Sequence, residues 1–405
     1  MRILEVIHGF PPYYMAGSEV YAYTLSKELA KSHDVYVFSR IENPFMDIYS
    51  LVEENIEGIK LFRVNKPRGD YTLSDKYLDN KIDEIYQSIL KDIDPDVVHI
   101  HHLSHLSTNI PILTKKYFGK PVVFTIHDFW MFCPRGQLLT SNYKLCEGPD
   151  VTRCSQCLNY LHVKENDIIK YLTHMREVLD NIDVFLSPSN FLRDYFIKEG
   201  LPDSKIIYSP YGFDKSKIKY RRKKYSSDDS LSFGYIGRII PSKGIHLLIK
   251  AFSSIEIKKG SSLHIYGDAG RYKTYLEKLG DQHVHFHGGF HNDEIDKILD
   301  NIDVLVVPSI WYENSPLVIQ EAFLKGIPVI ASNIGGMKEL ISDGVDGFLF
   351  RMGDIKSLSD ILTNLIDNPT LLNSLQVKRE KVRSIEDDAD AILKVFRRVS
   401  NEASA

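Results

Sequence analysis

The sequence predicts an α/β protein built from two parallel-sheet domains, and three observations predict it. Apolar runs of strand length alternate with longer amphipathic stretches along the chain. The 405 residues exceed the roughly 100–200 that one domain usually occupies. A segment also recurs: Asn181 to Ser189 (NIDVFLSPS) matches Asn301 to Ser309 (NIDVLVVPS) in six of nine positions, 120 residues further on. In both copies an apolar strand ends in Pro-Ser ahead of a helix, as two Rossmann-like domains with equivalent strand ends would show.

In chain order, the first half carries expected strands at Ile3 to Ile7, Val35 to Ser39, Val97 to Ile100, Val122 to Ile126 and Val184 to Ser187. Helices are expected at Glu19 to Ser32 and Asp75 to Ile93. After residue 228 come strands at Leu231 to Ile236, Leu263 to Tyr266, Val304 to Val307 and Pro328 to Ala331, with a helix at Gly244 to Ser253. The expected division is a first domain over 1–210, a linker over 211–230, a second domain over 231–385 and a final helix over 386–405. Seven of the ten residues from Lys215 to Lys224 are basic, which reads as a solvated linker.

Hydrophobic residues make up 43% and charged residues 26%, enough apolar material for two cores. A net charge of -4 gives no general attraction to nucleic acid, which is not expected as a partner. No stretch reaches the roughly 18 apolar residues of a membrane span. The run Ile3 to Ile7 is too short for a signal peptide. The expectation is a cytoplasmic protein, with Lys215 to Lys224 leaving a peripheral contact with the inner membrane face open.

In open α/β sheets ligands bind beyond the carboxyl ends of strands. After the first strand, Gly17 opens a helix whose N-terminus suits an anion. Val122 to Ile126 runs into His127 and Asp128, and the aromatic residues Phe129 and Trp130 beside them suit a polyol site. After the first strand of the second half, Gly237 and Gly244 frame Arg238 and Lys243, two cations suited to a diphosphate. Neither a Walker loop nor a Gly-x-Gly-x-x-Gly fingerprint is present there. Between Trp311 and Gly326, Ser315 reads as a helix N-cap and Pro316 as the first helical residue, so Glu313 precedes the helix and Glu321 lies inside an otherwise apolar one. A buried carboxylate needs partners, and sugar hydroxyls would serve.

With these residues in view, the chain resembles the family 4 retaining glycosyltransferases of the GT-B fold. The motifs are Glu313-x7-Glu321, Gly237-Arg238-x4-Lys243-Gly244, Ser332-x2-Gly335-Gly336 with Glu339, and Asp343-Gly344-x2-Asp346-Gly347. The resemblance implies two Rossmann-like domains facing across a cleft, with the C-terminal helix returning to the N-terminal domain. By analogy, Glu321 holds the ribose and Glu313 a hydroxyl of the donor sugar, while Arg238 and Lys243 neutralise the diphosphate. Amides around Asn314, Ser315, Pro316 and Leu317 join that of Gly17 in holding phosphate and sugar. His127 touches the transferred sugar, and the segment containing Phe290 passes the nucleobase. Asp128, Trp130 and Arg135 fall on the acceptor side. The partners so implied are a nucleotide diphospho-sugar and a glycan or lipid-linked acceptor, with no metal needed for catalysis. A nucleotide-sugar 2-epimerase, or a binding protein with a decayed site, shares the architecture. The epimerase would not account for the paired glutamates together with the two cations.

All four cysteines, Cys133, Cys146, Cys154 and Cys157, fall in one 25-residue window that forms an insertion over 133–157. The closing Cys-x2-Cys has the spacing of a zinc knuckle. A structural zinc ion leads over free thiols and disulfides in a reducing compartment. The histidines His283, His285, His287 and His291 alternate on a probable strand and read as polar surface or cleft lining.

Overall fold

The computed structural model describes residues 1–67, 72–257 and 260–404. Met1–Phe213 with Arg383–Ala405 forms one compact unit, and Asp214–Val382 a second.

The first unit carries an eight-stranded sheet. In chain order it comprises β1 (Arg2–Ile7), α1 (Gly17–Leu29), β2 (Asp34–Ile41), β3 (Leu51–Ile56), β4 (Ile59–Asn65), α2 (Asn80–Ile93), β5 (Val97–His102), α3 (Asn109–Phe118), β6 (Val122–Thr125), α4 (Val151–Cys157), α5 (Glu165–Asp180), β7 (Val184–Ser187), α6 (Asn190–Lys198) and β8 (Ile206–Tyr208). The spatial order is β3-β4-β2-β1-β5-β6-β7-β8. Every neighbouring pair is parallel except β3 with β4. That hairpin escaped the sequence reading because β3 is an edge strand with the polar sequence LVEENI and only alternate partial burial. Its turn, Glu57-Gly58, takes positive φ at both residues, as a two-residue hairpin requires. Strand order reverses between β1 and β5, the position at which open α/β sheets place their ligands.

The second unit contains β9 (Ser232–Ile236), α7 (Ile245–Ser253), β10 (Ser262–Tyr266), α8 (Lys273–Glu277), β11 (Val284–Gly288), α9 (Ile295–Asp300), β12 (Val304–Val307), α10 (Leu317–Lys325), β13 (Val329–Ser332), α11 (Met337–Leu340), β14 (Gly347–Phe350) and α12 (Ile355–Asp367). Its sheet runs β11-β10-β9-β12-β13-β14, all parallel. Counted within the unit this is the Rossmann order 3-2-1-4-5-6, with its switch point between β9 and β12. Phe233, Leu248, Phe252, Leu263, Val304 and Leu362 form part of its core.

The repeated nonapeptide proves to be one structural device used twice. Asp183 accepts a bond from Val122 N at 2.8 Å and Asp303 one from Ser232 N at 3.0 Å, each pinning the start of the adjacent strand. Asn181 and Asn301 each bond the carbonyl four residues back, closing the preceding helix.

The basic run is solvated along most of its length, with Lys217, Lys219, Arg222, Lys223 and Lys224 exposed, but it is tied to the second unit. Tyr211 to Phe213 belong to the first unit and the rest of the expected linker to the second. Arg221 bonds the carbonyls of Asp300 and Ile302, and Lys223 reaches Asp303 at 2.9 Å. These two cations find helix-end carbonyls and a buried carboxylate, which holds the segment against the domain.

The chain returns to the first unit through α13 (Ile385–Ser404). Of the final helix expected over 386–405, Ala405 lies outside the described residues. Buried Asp388 on α13 accepts from Tyr21 Oη at 2.9 Å and Gly212 N at 2.8 Å and pairs with Arg383. Phe396 packs edge-on to His99.

Candidate active site

The second unit places its chemistry at the β9/β12 switch point. Gly244 has φ +71°, and a Cβ there would stand 1.9 Å from the Pro308 carbonyl oxygen. Only glycine lets the two loops close, and Ile310 N donates across to Ser242 O at 2.9 Å. The closure carries Lys243 Nζ to 2.6 Å from Glu313 Oε1. The same oxygen accepts from Ser309 Oγ at 2.6 Å and Trp311 Nε1 at 2.8 Å. Lys243 also lies over the Trp311 ring. Behind Glu313, Gly336 N donates to its carbonyl at 2.7 Å, and Gly335, with φ +58°, permits that approach. The Gly335-Gly336 pair of the sequence motif thus backs the glutamate. Glu313, Asn314 and Ser315 are buried.

One detail of the helix start is corrected. Pro316, with ψ 119°, is the cap residue and α10 begins at Leu317; the Ser315 side chain does not cap it. Its φ of -59° fits a helix, but the extended ψ delays the first turn by one residue. Having no N–H, Pro316 cannot donate to a ligand, so the helix-start donors are those of Leu317 and Val318.

Glu321, on the second turn of α10, is half-buried and has no hydrogen-bond partner among the described residues. Burial pushes its carboxyl up to about 7, and Lys217 lowers it only in part. Arg238 is exposed, and its guanidinium has no partner among the described residues. Gly237, Gly267 and Gly288, all at positive φ, stand at the ends of β9, β10 and β11. They are joined by Gly237 N to Tyr266 O and Gly267 N to Gly288 O. A Cβ on Gly267 would lie 2.0 Å from Gly237 O. This bare floor leads to half-buried Phe290. Gly267 was not singled out from sequence, although its place after an apolar strand marks it. The histidines His264, His285 and His287 stack on the β10/β11 surface.

In the first unit the switch point between β1 and β5 gathers a polar network. Gly17 is exposed at the first residue of α1. Next to it Glu19 pairs with His8 at 3.3 Å and accepts from Ser18 Oγ. Burial would raise the Glu19 carboxyl, but the bonds from His8 and Ser18 outweigh it and hold the group at about 2. Beneath, Glu5 Oε2 meets His99 Nδ1 at 2.8 Å and His101 Nε2 at 2.9 Å. His101 Nδ1 meets His127 Nε2 at 3.1 Å, and His127 Nδ1 meets Tyr211 Oη at 2.5 Å. Burial would raise Glu5 as well, yet His99 and His101 bring it to about 2, so it is an anion. Burial and the charge of His99 lower His101 to about 4. A neutral His101 donating to Glu5 must accept at Nδ1, which fixes His127 with its proton on Nε2 and leaves Nδ1 as the acceptor for Tyr211. His127 is therefore held rigidly and neutral, with both nitrogens engaged. Sequence reasoning missed Glu5, His101 and Tyr211 as its supports; a charged residue inside the run ILEVI was the available signal.

Asp128 Oδ2 lies 3.3 Å from His102 Nε2, and its Oδ1 accepts from Trp130 N. Trp130 is buried against His102 and Tyr171. Arg135 lines a small cavity together with Cys133, Cys146, Cys154 and Cys157. None of the four cysteines is in a disulfide.

A family model described as Glycosyltransferase Family 4 matches residues 15–217, just over half of the 405 residues, and one described as Glycosyl transferases group 1 matches 216–382. The chain belongs to the family 4 glycosyltransferases. This glycosyltransferase is 28% identical over 367 residues to a glycosyltransferase of Methanocaldococcus jannaschii, covering 86% of this chain and 84% of that protein. It is 25% identical to the glycogen synthase of Mycobacterium tuberculosis, covering 91% and 87%. It is also similar in structure to sucrose-phosphate synthase from Thermosynechococcus elongatus, with TM-score 0.75, 18% identity and 98% of each chain covered. An Anabaena protein solved with UDP and glucose gives TM-score 0.68 at 19% identity, with 98% and 99% covered. The fold is GT-B. Among its described residues, no helix is long and apolar enough to cross a membrane.

Proposed function

We propose that this glycosyltransferase moves a hexose from a nucleotide diphospho-sugar to a glycan or lipid-linked acceptor of a cell-surface polysaccharide, with retention of anomeric configuration and without a catalytic metal. The single observation that carries the donor site is Glu321: a half-buried carboxyl raised to about 7 with no hydrogen-bond partner among the described residues. Such a group is completed by a ligand that donates hydrogen bonds, as paired ribose hydroxyls do. Arg238 and the α10 start then receive the diphosphate, aided by Lys243. Phe290 and the glycine floor receive the base.

In the first unit, Gly17 and His127 are assigned to phosphate and sugar, and Asp128 to the acceptor side. Relatives named for lipopolysaccharide and colanic acid synthesis support the surface-glycan reading. An Anabaena neighbour solved with UDP-glucose supports the donor class.

Three donors converge on Glu313 Oε1, so this carboxylate is spent on positioning and is a weakened nucleophile. The reading is accordingly a front-face displacement. The bond from the anomeric carbon to the phosphate oxygen breaks and its electron pair leaves with the diphosphate. The acceptor oxygen bonds to the same face, and its proton passes to the departing phosphate oxygen. Preorganised cations and helix-start N–H groups stabilise the charge that develops there.

Calorimetry with UDP, GDP, ADP and CMP and their sugars tests the donor site. One series binding the wild type and failing to bind Glu321→Ala is expected. A folded protein that binds none of them would favour a non-catalytic glycan-binding role.

A further inference from the structure

The insertion at 133–157 holds the chain's only four cysteines, and the structure brings all four to one cavity from three separate elements. Cys133 opens a tight turn: Gly136 N donates to its carbonyl at 2.7 Å, and main-chain N–H groups of Arg135, Gln137 and Leu138 face its thiol. A hairpin arm, bridged at Leu139 and Leu145, delivers Cys146, whose N–H donates to Leu138 O at 2.8 Å. Cys154 and Cys157 lie three residues apart on α4, which Asp150 caps by accepting from Arg153 N at 2.7 Å. Arg153 also holds Gly148 O at 2.8 Å, tying the Cys146 arm to the helix. The cavity these elements share has a volume of about 20 Å³.

We propose that Cys133, Cys146, Cys154 and Cys157 bind one structural zinc ion. A turn whose amides point at a thiol, facing a Cys-x2-Cys on a helix, supplies the ligand set and second shell of a closed tetrathiolate site. Four thiolates on one zinc ion carry a net charge of minus two. Two guanidinium groups line the same cavity, and Arg135 Nε is buried without a partner among the described residues. No three of the sulfurs lie within 4.8 Å of one another, whereas bonds of about 2.3 Å place tetrahedral ligands roughly 3.8 Å apart. The ion therefore draws the turn, arm and helix together. It needs no open coordination position and takes no part in sugar transfer.

What the ion would secure is the loop beneath the site. Phe129 N donates to Gly136 O at 3.1 Å, and a Cβ on Gly136 would stand 2.9 Å from Asp128 Oδ2. The Cys133 turn thus buttresses Asp128, one residue after His127. The inference stands on the thiol cavity alone and holds whether or not the donor reading does.

The full chain, purified under reducing conditions without chelator, is expected to contain about one zinc per chain by elemental analysis. Its four thiols should resist a thiol reagent until a mercurial displaces the metal. Cobalt exchange should give the absorption of a tetrahedral thiolate centre. Cys157→Ser should lose the metal, and Cys157→His, which restores a ligand, should regain it even if the serine variant folds poorly. Below about 0.1 zinc per chain with four immediately reactive thiols would overturn the proposal. So would an intact mass showing disulfides.

Discussion

Glu321 and the two cations give the proposed donor site its sharpest residue-level tests. Because the folded carboxyl, at about 7, lies above its ordinary 4.5, its contribution to stability is full below pH 4.5 and is lost as pH rises through 7. The loss has an upper bound of about 3 kcal/mol, trimmed because the group is partly screened by water. Nucleotide-free Glu321→Gln should therefore match the wild type at pH 4 and exceed it by about 1–2 kcal/mol at pH 8. Parallel pH slopes in urea unfolding would show that the carboxyl is not desolvated. Arg238→Ala and Lys243→Ala separate two kinds of cation. The exposed Arg238 should cost turnover and diphosphate affinity with stability within about 0.5 kcal/mol of wild type. Lys243 should cost turnover and also about 2–3 kcal/mol, since its removal leaves buried Glu313 with two neutral donors and no counter-charge. Equal melting points for the two variants would contradict the Lys243–Glu313 pairing.

At the scale of elements, the repeated nonapeptide shows how far a sequence signal carries. The strand, its aspartate anchor and the Pro-Ser ending recur in both units, yet the two serines diverge. Ser189 caps α6 through Leu192 N, while Ser309 turns its hydroxyl to Glu313. The likeness was legible in the residues; the divergence depends on which loop faces each strand end. The anchors themselves differ in depth, with Asp303 5% exposed and Asp183 27%. Asp303 also accepts from Tyr225 Oη and Lys223. Asp303→Ala should therefore cost about 2–4 kcal/mol and Asp183→Ala roughly half that. Urea unfolding of the two variants checks the ranking, and a larger loss for Asp183 would refute it.

For the whole molecule, the crossing of the chain back into the first unit makes that unit discontinuous in sequence. Ile385, Ala389, Ile392, Leu393, Phe396 and Val399 of α13 are buried, and Asp388 satisfies Tyr21 and Gly212. Removing α13 exposes apolar surface worth about 10 kcal/mol, comparable to the whole stability of a domain. A chain ending at Val382 should thus lose hydrogen-exchange protection throughout residues 1–213 and keep it in 214–382; protection retained in both would show that α13 is dispensable. The sequence by itself determined the two α/β units, the buried strands, the loop residues His127, Arg238, Lys243 and Glu313, and the helical Glu321, because apolar periodicity is local. Only the tertiary structure decided that Lys243 and Glu313 touch, that Glu5 and His101 orient His127, and that the basic run lies on its domain. It also decided that four cysteines from three elements share one cavity. Each of those facts joins residues distant in sequence, and which ones meet depends on strand order and on where a glycine lets two loops close.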